Sequence, residues 1–453
     1  MRSFCLTELE IPLAGRLQGV DVSFDAVSTD TRTLQPDDLF VALRGPSFDG
    51  HGFVATAAEQ GAGAALVSGQ GRYPISTLRV ADTRQALGQL AALNRQHFAG
   101  KLVGITGSSG KTTVKNMLAT ILQARAPTLA TVGNLNNEIG LPLSLLRLQE
   151  RHEFAVIEMG ASRAGDISYL CELAVPDVAV LLNALPAHLE GFGDLAGVAA
   201  AKGEIFSGLA ESGTAVINAD SEFAPQWRRL AQTAHRIEFG LAGSAAVSAR
   251  DCVDRGVFGT RFQLVAEQGE VAIELALPGR HSVINALAAS AAALAVGTRL
   301  PDIASGLARV RSEAGRLHVT TAASGMVLVD DSYNANPGSV KAAIDLLADC
   351  DGRRILVLGT MSELGPDSER LHEEVGRYAL QQGLEELWLT GTETLATGRG
   401  YGVGAEHCAD LLELAQRLRG RFSRGDVVLV KGSRSAGMEA IVTALLAQAG
   451  GVN

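Results

Sequence analysis

The chain has 453 residues, of which 47% are hydrophobic and 19% charged, and its formal net charge is -10 at pH 7. Domains mostly hold roughly 100 to 200 residues, so a chain of this length is expected to form two to four of them, and three is our starting hypothesis. The acidic balance argues against a nucleic-acid-binding protein, which needs a basic surface to displace counterions from phosphates.

The cysteine content and the hydropathy of the chain predict the cellular compartment of the protein. The five cysteines are scattered and include no C-x-x-C pair, which is typical of reduced thiols in a cytoplasm. The N-terminus has no continuous apolar stretch and does not resemble a signal peptide. The longest apolar run, residues 286–296, is too short to span a bilayer. We therefore expect a cytoplasmic protein without membrane insertion.

Short apolar strands dominate the N-terminal part of the chain. The runs DLFVAL, AALVS and TLRVAD lie between Asp37 and Asp82, and the helical pattern FVATAAEQGA separates the first two. This composition predicts a small N-terminal α/β domain over residues 1–82.

The middle of the chain alternates strands with amphipathic helices. The strand patterns are LVGIT, PTLAT, FAVIEM, DVAVLLN and GTAVINA, followed by a β-rich segment over 261–277 and a helix over 282–296. Such alternation implies a mostly parallel sheet with helices on both faces. We predict a doubly wound central domain over residues 83–311.

A second alternation begins after Gly315. The strand patterns MVLVDD, RRILVLG, ELWLTG and DVVLVKG are each followed by a helical pattern. This predicts a C-terminal Rossmann-like domain over residues 312–453, and hence an α/β protein of three domains.

The strand LVGIT runs into a glycine-rich loop and then a helix. The common phosphate-binding loop reads G-x-x-x-x-G-K-[ST], and this loop is two residues shorter. Its glycines let backbone N–H groups approach phosphate oxygens, Lys111 supplies a cation, and the Thr112 hydroxyl suits Mg²⁺. An ordinary Gly-Ser turn with a surface lysine is the alternative, and the flanking strand and helix argue against it. The predicted nucleotide-binding loop consists of Gly107, Ser108, Ser109, Gly110, Lys111, Thr112 and Thr113.

Polar residues follow the other strands of the central domain. Glu158 ends FAVIEM, and His188 lies a few residues beyond DVAVLLN. Because ligands bind beyond the carboxyl ends of parallel strands, both side chains are expected near Lys111. Glu158 is the more natural Mg²⁺ ligand, since Mg²⁺ prefers oxygen. Three amides, Asn134, Asn136 and Asn137, are candidates for orienting a polar substrate, although amides also occur in turns for local reasons.

The remaining candidates are less easily interpreted. From charge alone Lys202 is expected on a solvated helix face, because an ammonium beside Mg²⁺ would be repelled. In the last domain, Asp331, Asn334 and Asn336 follow a strand, where a ribose or a second substrate would bind. Arg316 is a candidate phosphate ligand from that same domain.

The order of the motifs points to a known family. The blocks TGSSGKTT, GNLNNEIGLP, IEMGAS, AHLEGFG, AKGEIFSGL, PGRHSVINALAA, DDSYNANP and KGSRS resemble those of the Mur ligase family, and STDTR and LFVALRGPSFDGHGF extend the resemblance to the N-terminus. The resemblance implies an ATP-dependent amide ligase with an acyl-phosphate intermediate. It also implies that the first domain holds a uridine nucleotide, the second holds ATP, and the third closes over the site.

The resemblance assigns roles to individual residues. Thr112 and Glu158 would hold one Mg²⁺, and His188 with Lys202 a second. The family's matching lysine carries a CO₂-derived carbamate, which would turn the Lys202 ammonium into an anion. Asn285 would face the adenine, and Arg316 and Asp331 would reach the nucleotide. The residues near the UDP-sugar would be Ser28, Asp30, Arg32, Asp49, Gly50 and His51.

Several activities remain open within and beyond this family. The NANP, AHLEGFG and STDTR blocks favour the ligase that joins D-alanyl-D-alanine to a UDP-N-acetylmuramoyl-tripeptide, acting as a monomer. The alternatives are another Mur ligase, a folylpolyglutamate synthase or a non-catalytic nucleotide sensor. A GTPase switch would need an N-K-x-D motif, which the chain lacks, and a transport ATPase the full-length loop. Thr360 departs from the aspartate usual in this type, and the third residue of the tripeptide is not assigned.

Overall fold

The protein is described by a computed structural model that covers residues 1–186, 189–209, 212–232, 235–242 and 244–447. The N-terminal elements are β1 (Phe4–Cys5), α1 (Leu6–Leu9), β2 (Arg16–Gln18), β3 (Ser23–Phe24), β4 (Val27–Ser28), β5 (Leu39–Val41), a 3₁₀ turn (Gly50–Phe53), α2 (Val54–Glu59), β6 (Ala64–Ser68), β7 (Thr77–Val80) and α3 (Thr83–Gln96). A sheet of order β2-β7-β6-β5-β4 forms here, parallel except for β2. The strands β5, β6 and β7 are those predicted from the sequence.

The central elements share an apolar cluster with the N-terminal elements. They are β8 (Lys101–Thr106), α4 (Lys111–Gln123), β9 (Thr128–Ala130), α5 (Gly140–Leu145), β10 (Phe154–Glu158), α6 (Asp166–Ala174), β11 (Val178–Leu181), α7 (Leu189–Phe192), α8 (Leu195–Gly203), a 3₁₀ turn (Glu204–Phe206), β12 (Thr214–Asn218), α9 (Ala224–Leu230), β13 (His235–Phe239), β14 (Ser248–Asp254), β15 (Thr260–Ala266), β16 (Gly269–Leu275), α10 (Arg280–Ala295) and α11 (Leu300–Arg309). The main sheet, β13-β12-β11-β8-β10-β9, is parallel at every pair, and β14, β15 and β16 form an antiparallel meander.

Alternating side chains bury both faces of the central sheet. In β8, Leu102 packs in the cluster that contains residues of α3 and α6, whereas Val103 packs in the cluster of α4 and α10. Successive strand residues point to opposite faces, so a fully covered sheet needs continuous apolar strands. That requirement explains why the sequence pattern revealed these strands.

The C-terminal elements form a second doubly wound sheet. They are β17 (His318–Thr321), β18 (Val327–Asp331), α12 (Pro337–Ala348), β19 (Arg353–Gly359), a 3₁₀ turn (Gly365–Asp367), α13 (Ser368–Gln381), β20 (Glu386–Thr390), α14 (Thr394–Tyr401), β21 (Ala405–Cys408), α15 (Leu411–Leu418), β22 (Asp426–Lys431), a 3₁₀ turn (Arg434–Ala436) and α16 (Glu439–Ala447). The order is β17-β18-β22-β19-β20-β21, with β17 antiparallel at the edge. The N-terminal sheet ends at Val80 and the C-terminal sheet begins at His318, and the exact domain boundaries at residues 82 and 311 stay a prediction.

Residues 286–295 of the apolar run lie in α10, as a packed helix, and Val296 is its C-cap. Its interrupting residue, Ser290, donates a hydrogen bond from Oγ to the Ala286 carbonyl at 2.7 Å, which satisfies the buried hydroxyl. Across the ranges described above, no helix combines the length and apolarity needed to cross a membrane.

The turn between β14 and β15 packs against the C-terminal domain. Val257 is 6% exposed and belongs to the apolar cluster of Val340 and Leu347, which are α12 residues. A residue of the central domain thus contributes to the core of the next one.

Replacing Val257 with Ala tests this docking. Full burial of a valine side chain is worth about 1.5 to 3 kcal/mol, and we expect Val257→Ala to lower the free energy of unfolding by roughly 1 to 3 kcal/mol. Val253→Ala is the matched control, because Val253 lies in the same hairpin and is 55% exposed. Equal stability of the two variants in denaturant unfolding would contradict the docking.

Candidate active site

A cavity of about 960 Å³ lies between the central and C-terminal domains. One wall is formed by the phosphate-binding loop and by the loops after β9, β10 and β11. The opposite wall is formed by residues 315–317, by the segment after β18 and by Lys431. The carboxyl ends of two parallel sheets therefore face a common space, as is usual for ligand sites in α/β proteins.

The phosphate-binding loop has a backbone that requires glycine. Gly110 has φ +84°, and a Cβ atom there would lie 2.6 Å from Asn285 Oδ1. Asn285 and Gly110, which are both predicted to bind the nucleotide, therefore lie close together in the cavity wall. The first-turn N–H groups of α4, which begins at Lys111, have no partners within the helix and suit an anion.

The Lys111 side chain lies against the loop that precedes α4. Its Nζ donates to the Gly107 carbonyl at 2.7 Å. Burial lowers the pKa of Lys111, an effect that Glu158 opposes and Arg316 reinforces. A cation is thus held within the loop that is predicted to carry the phosphates.

Glu158, at the end of β10, forms hydrogen bonds with residues from neighbouring elements. It is 3% exposed, and its carboxylate accepts hydrogen bonds from Thr112 Oγ1 at 2.9 Å and from Asn136 Nδ2 at 2.8 Å. Its backbone N–H donates to Thr131 Oγ1 at 3.0 Å. Three predicted residues, Thr112, Glu158 and Asn136, are therefore in direct contact.

This arrangement fits Mg²⁺ bound together with a phosphorylated ligand. In the described part of the chain, no three His, Cys, Asp or Glu side chains cluster as an all-protein metal site. Mg²⁺ needs no such cage, because it is commonly held by one or two carboxylates plus substrate phosphates. The Glu158 carboxylate and the Thr112 hydroxyl supply oxygen ligands of the right kind, next to the phosphate-binding loop.

Lys202 is buried, which corrects the expectation of a solvated helix face. Its side chain is 2% exposed within α8, and its Nζ lies 5.7 Å from the centroid of the Phe192 ring. Burial, followed by repulsion from Lys111, lowers the pKa of Lys202 to about 7. A large share of this amine is therefore neutral near pH 7. The other residue expected beside it, His188, lies outside the described residues.

The predicted residues of the C-terminal domain line the opposite wall. Asp331 pairs with Lys431, whose Nζ also donates to the Asn334 carbonyl at 2.9 Å. The Arg316 guanidinium stacks on the Tyr333 ring at 4.0 Å. Both contacts orient charged groups at the cavity.

Some predicted amides have structural contacts. The Asn336 side chain caps α12 by accepting from Ser339 N at 2.9 Å, in a complete capping box. Asn137 Oδ1 accepts from Gly140 N at 2.9 Å, at the start of α5. Asn134, like these two, lines the cavity. A role in substrate binding remains a prediction for all three.

The N-terminal candidates lie away from this cavity. Asp30 accepts from Arg32 Nε at 2.9 Å, and this hydrogen bond is the main cause that lowers the pKa of Asp30 to about 2. Ser28 Oγ donates to the Asp30 carbonyl at 2.9 Å. The described lining of the cavity includes none of the six residues predicted for the UDP-sugar.

The second N-terminal group connects the 3₁₀ turn at Gly50–Phe53 to the end of β6. His51 Nδ1 contacts Asp49 Oδ1 at 2.5 Å, and His51 Nε2 accepts from Ser68 N at 2.8 Å. Gly50 is buried, and a Cβ there would lie 2.6 Å from the Leu43 carbonyl oxygen. Thr360, the departure noted in the sequence, donates to Glu393 at 3.0 Å.

The sequence reasoning missed Lys115. It is 3% exposed and donates from Nζ to the Thr131 carbonyl at 2.9 Å. Burial lowers the pKa of Lys115, with Glu158 the largest opposing charge. Its spacing of four residues from Lys111 places both lysines on one face of α4, which was the available signal.

Comparisons with known proteins agree with this geometry. Three family models match: "Mur ligase family, catalytic domain" over residues 23–95, "Mur ligase middle domain" over 105–293, and "Mur ligase, glutamate ligase domain" over 315–434. The UDP-N-acetylmuramoyl-tripeptide--D-alanyl-D-alanine ligase of Escherichia coli (strain K12) is 46% identical over 447 residues, or 98% of this chain and 99% of that protein.

Solved structures show the same similarity. A crystal structure of MurF from Acinetobacter baumannii has a TM-score of 0.94 and 34% identity, and the match covers 99% of both chains. The MurF ligase of Thermotoga maritima, solved in complex with ADP, has a TM-score of 0.84 and 31% identity, covering 93% of this chain and 97% of that one. The three-domain α/β fold predicted from the sequence is confirmed.

The isosteric change Glu158→Gln tests the metal-binding role of the carboxylate. Gln keeps the shape of the side chain but loses the charge and one of the two acceptor oxygens, so we expect the Mg²⁺ concentration for half-maximal activity to rise about 100-fold or more. Glu153→Gln, an exposed change just before the other end of β10, serves as the control and should leave the Mg²⁺ dependence unaltered.

Proposed function

The chain belongs to the Mur ligase family, and from this premise we propose that it joins D-alanyl-D-alanine to a UDP-N-acetylmuramoyl-tripeptide with cleavage of ATP to ADP and phosphate. The observation that carries the proposal is the 46% identity, over 98% of this chain, to the Escherichia coli protein that bears this name. The cavity between the ATP-binding loop and the C-terminal domain supports it, because a ligase must bring three substrates together.

The chemistry follows from the poor reactivity of a carboxylate. The terminal carboxylate of the tripeptide attacks the γ-phosphorus of ATP, and ADP leaves, giving an acyl phosphate. The amine of D-alanyl-D-alanine then attacks the acyl carbon, and the tetrahedral intermediate collapses to an amide and inorganic phosphate, with loss of a proton from the nitrogen. The first step needs positioning and charge neutralisation more than covalent help from the protein.

The residues of the cavity have distinct parts in this reaction. Lys111 and the N–H groups at the start of α4 bind and neutralise the transferred phosphate. Thr112 and Glu158 would hold a Mg²⁺ ion, whose charge offsets that of the phosphate oxygens. Arg316 and Asp331, on the opposite wall, would hold the nucleotide from the C-terminal domain. A wall on each side keeps water from the acyl phosphate.

Lys202 suits a carbamate. Only a neutral amine attacks CO₂, and burial already lowers the pKa of this lysine to about 7. The nitrogen forms a bond to the CO₂ carbon and releases a proton, which yields an anionic carbamate. With His188, this anion would hold a second Mg²⁺, and it would replace the repulsion between Lys202 and Lys111 with attraction.

The N-terminal domain would hold the uridine end of the substrate. Its candidate residues are Ser28, Asp30, Arg32, Asp49, Gly50 and His51. Arg84, which lines the cavity, donates to the Arg44 carbonyl of that domain at 3.3 Å, so the two regions are neighbours. An elongated substrate would therefore extend from the N-terminal domain into the cavity.

The product would be a UDP-muramoyl-pentapeptide for peptidoglycan synthesis. Through this role in cell wall biogenesis, the protein would support cell shape and cell division. We infer that it acts in the cytoplasm as a monomer, where its nucleotide substrates are available.

A phosphate-release assay tests the proposed activity. Purified protein is supplied with ATP, Mg²⁺, UDP-N-acetylmuramoyl-tripeptide and D-alanyl-D-alanine, and each is omitted in turn. Steady release should require all four, because phosphate leaves only when the amine consumes the acyl phosphate. Release that persists without the tripeptide or without the dipeptide rules out this ligase. Replacing both by a folate and glutamate tests the folylpolyglutamate synthase alternative.

The change Lys202→Ala tests the carbamate. Loss of the anion should reduce kcat about 100-fold or more, and short carboxylic acids such as acetate should partly restore it by occupying the vacated space with a carboxylate. Lys202→Met, which fills that space, should lose activity without rescue. Full activity of Lys202→Ala in the absence of any added acid would refute the carbamate.

A further inference from the structure

The short phosphate-binding loop is bound by a neighbouring segment, residues 183–185, that follows β11. Ser108 N donates to the Asn183 carbonyl at 3.2 Å. The Ser108 hydroxyl donates to the Leu185 carbonyl at 3.1 Å and lies 3.0 Å from Leu185 N. Both serines of the loop, Ser108 and Ser109, take part in these contacts.

The Asn183 side chain forms two hydrogen bonds with the backbone of Ser109, one with the peptide unit on each side of that residue. Its Oδ1 accepts from Ser109 N at 3.0 Å, and its Nδ2 donates to the Ser109 carbonyl at 3.1 Å. A carboxamide that binds both the N–H and the C=O of one residue fixes that residue's backbone, as a neighbouring strand would.

The segment itself is anchored on both sides. Asn218, at the end of β12, donates from Nδ2 to the Leu182 carbonyl at 2.7 Å. Leu185 packs towards the C-terminal domain, where a Cβ on Gly338 would lie 3.0 Å from Leu185 Cδ1. The support for the loop is therefore itself held by the next strand and borders the opposite wall of the cavity.

We propose that Asn183 is a positioning residue that replaces the two residues missing from the loop. It holds the Ser109 backbone so that the following N–H groups, from Gly110 into α4, keep the orientation that phosphate binding needs. The inference rests on the proposed function only in taking the loop as the ATP site. Fixing a backbone before the ligand arrives removes an entropic cost from binding, and release of one residue corresponds to about a tenfold change in affinity.

The test compares Asn183→Leu with a control, Asn94→Leu. Leu has the same number of side-chain heavy atoms, branched at the same position, and forms neither hydrogen bond. Asn94 is an amide that likewise bonds the backbone, donating to the Leu145 and Leu148 carbonyls, and it is buried outside the cavity lining. Hydrogen exchange of the peptide containing residues 107–110 and the affinity for ADP are measured on the full chain.

We expect Asn183→Leu to accelerate exchange in that peptide and to weaken ADP binding about tenfold, while Asn94→Leu lowers only the melting temperature. The KM for ATP should rise more than kcat falls. Asn183→Asp keeps an acceptor for Ser109 N but sets a carboxylate oxygen against the Ser109 carbonyl, so it should also accelerate exchange in that peptide.

Exchange and ADP affinity within twofold of the parent in Asn183→Leu would overturn the proposal. If Asn183→Leu does not fold, Asn183→Ala is judged by the same two measurements. Neither measurement requires the amide-forming reaction. A protein that binds ADP but does not ligate D-alanyl-D-alanine would therefore contradict the proposed function without deciding the role of Asn183, which the two measurements test independently.

Discussion

The buried carboxylate of Glu158 is the constraint around which the central domain is organised. A charge removed from water is costly unless hydrogen bonds and opposite charges surround it. Thr112 and Asn136 provide the hydrogen bonds, and the lysines of α4 provide positive charge on the same side. The phosphate-binding loop, the amide-rich loop after β9 and the end of β10 are thereby held in one place. The same set of groups that stabilises the carboxylate also forms a site for a metal and a phosphate.

Much of this arrangement could be predicted because parallel strands impose it. Strands covered on both faces are continuous apolar runs, so β8, β10, β11 and β12 are visible in the sequence, and their carboxyl ends must share one edge. The contact between Thr112, Glu158 and Asn136 follows from that rule. The edge strands β13, β17 and β21 carry polar residues on open surfaces, and short sequences such as HVTT and AEHC gave no such pattern.

The residues that a local sequence pattern does not place are those whose role depends on tertiary packing. Lys202 follows an alanine-rich stretch, and no periodicity distinguishes a lysine buried against Phe192 from one in solvent. Asn183 was read only as the last residue of a strand, because its bond to Ser109 joins residues 74 positions apart. A sequence pattern indicates whether a helix or strand is buried or exposed. The roles of Lys202 and Asn183 depend instead on contacts with residues of other elements.

The insertion of Val257 into the core of the C-terminal domain has a consequence for how that domain moves. A hairpin tip that is buried in its neighbour forms a fixed point, so sliding of the two domains would expose apolar surface, whereas rotation about the tip would not. The opening of the cavity is then expected to resemble a hinge with its axis near residue 257. The width of the opening would increase with distance from that axis, which lets large substrates enter while the apolar contact persists.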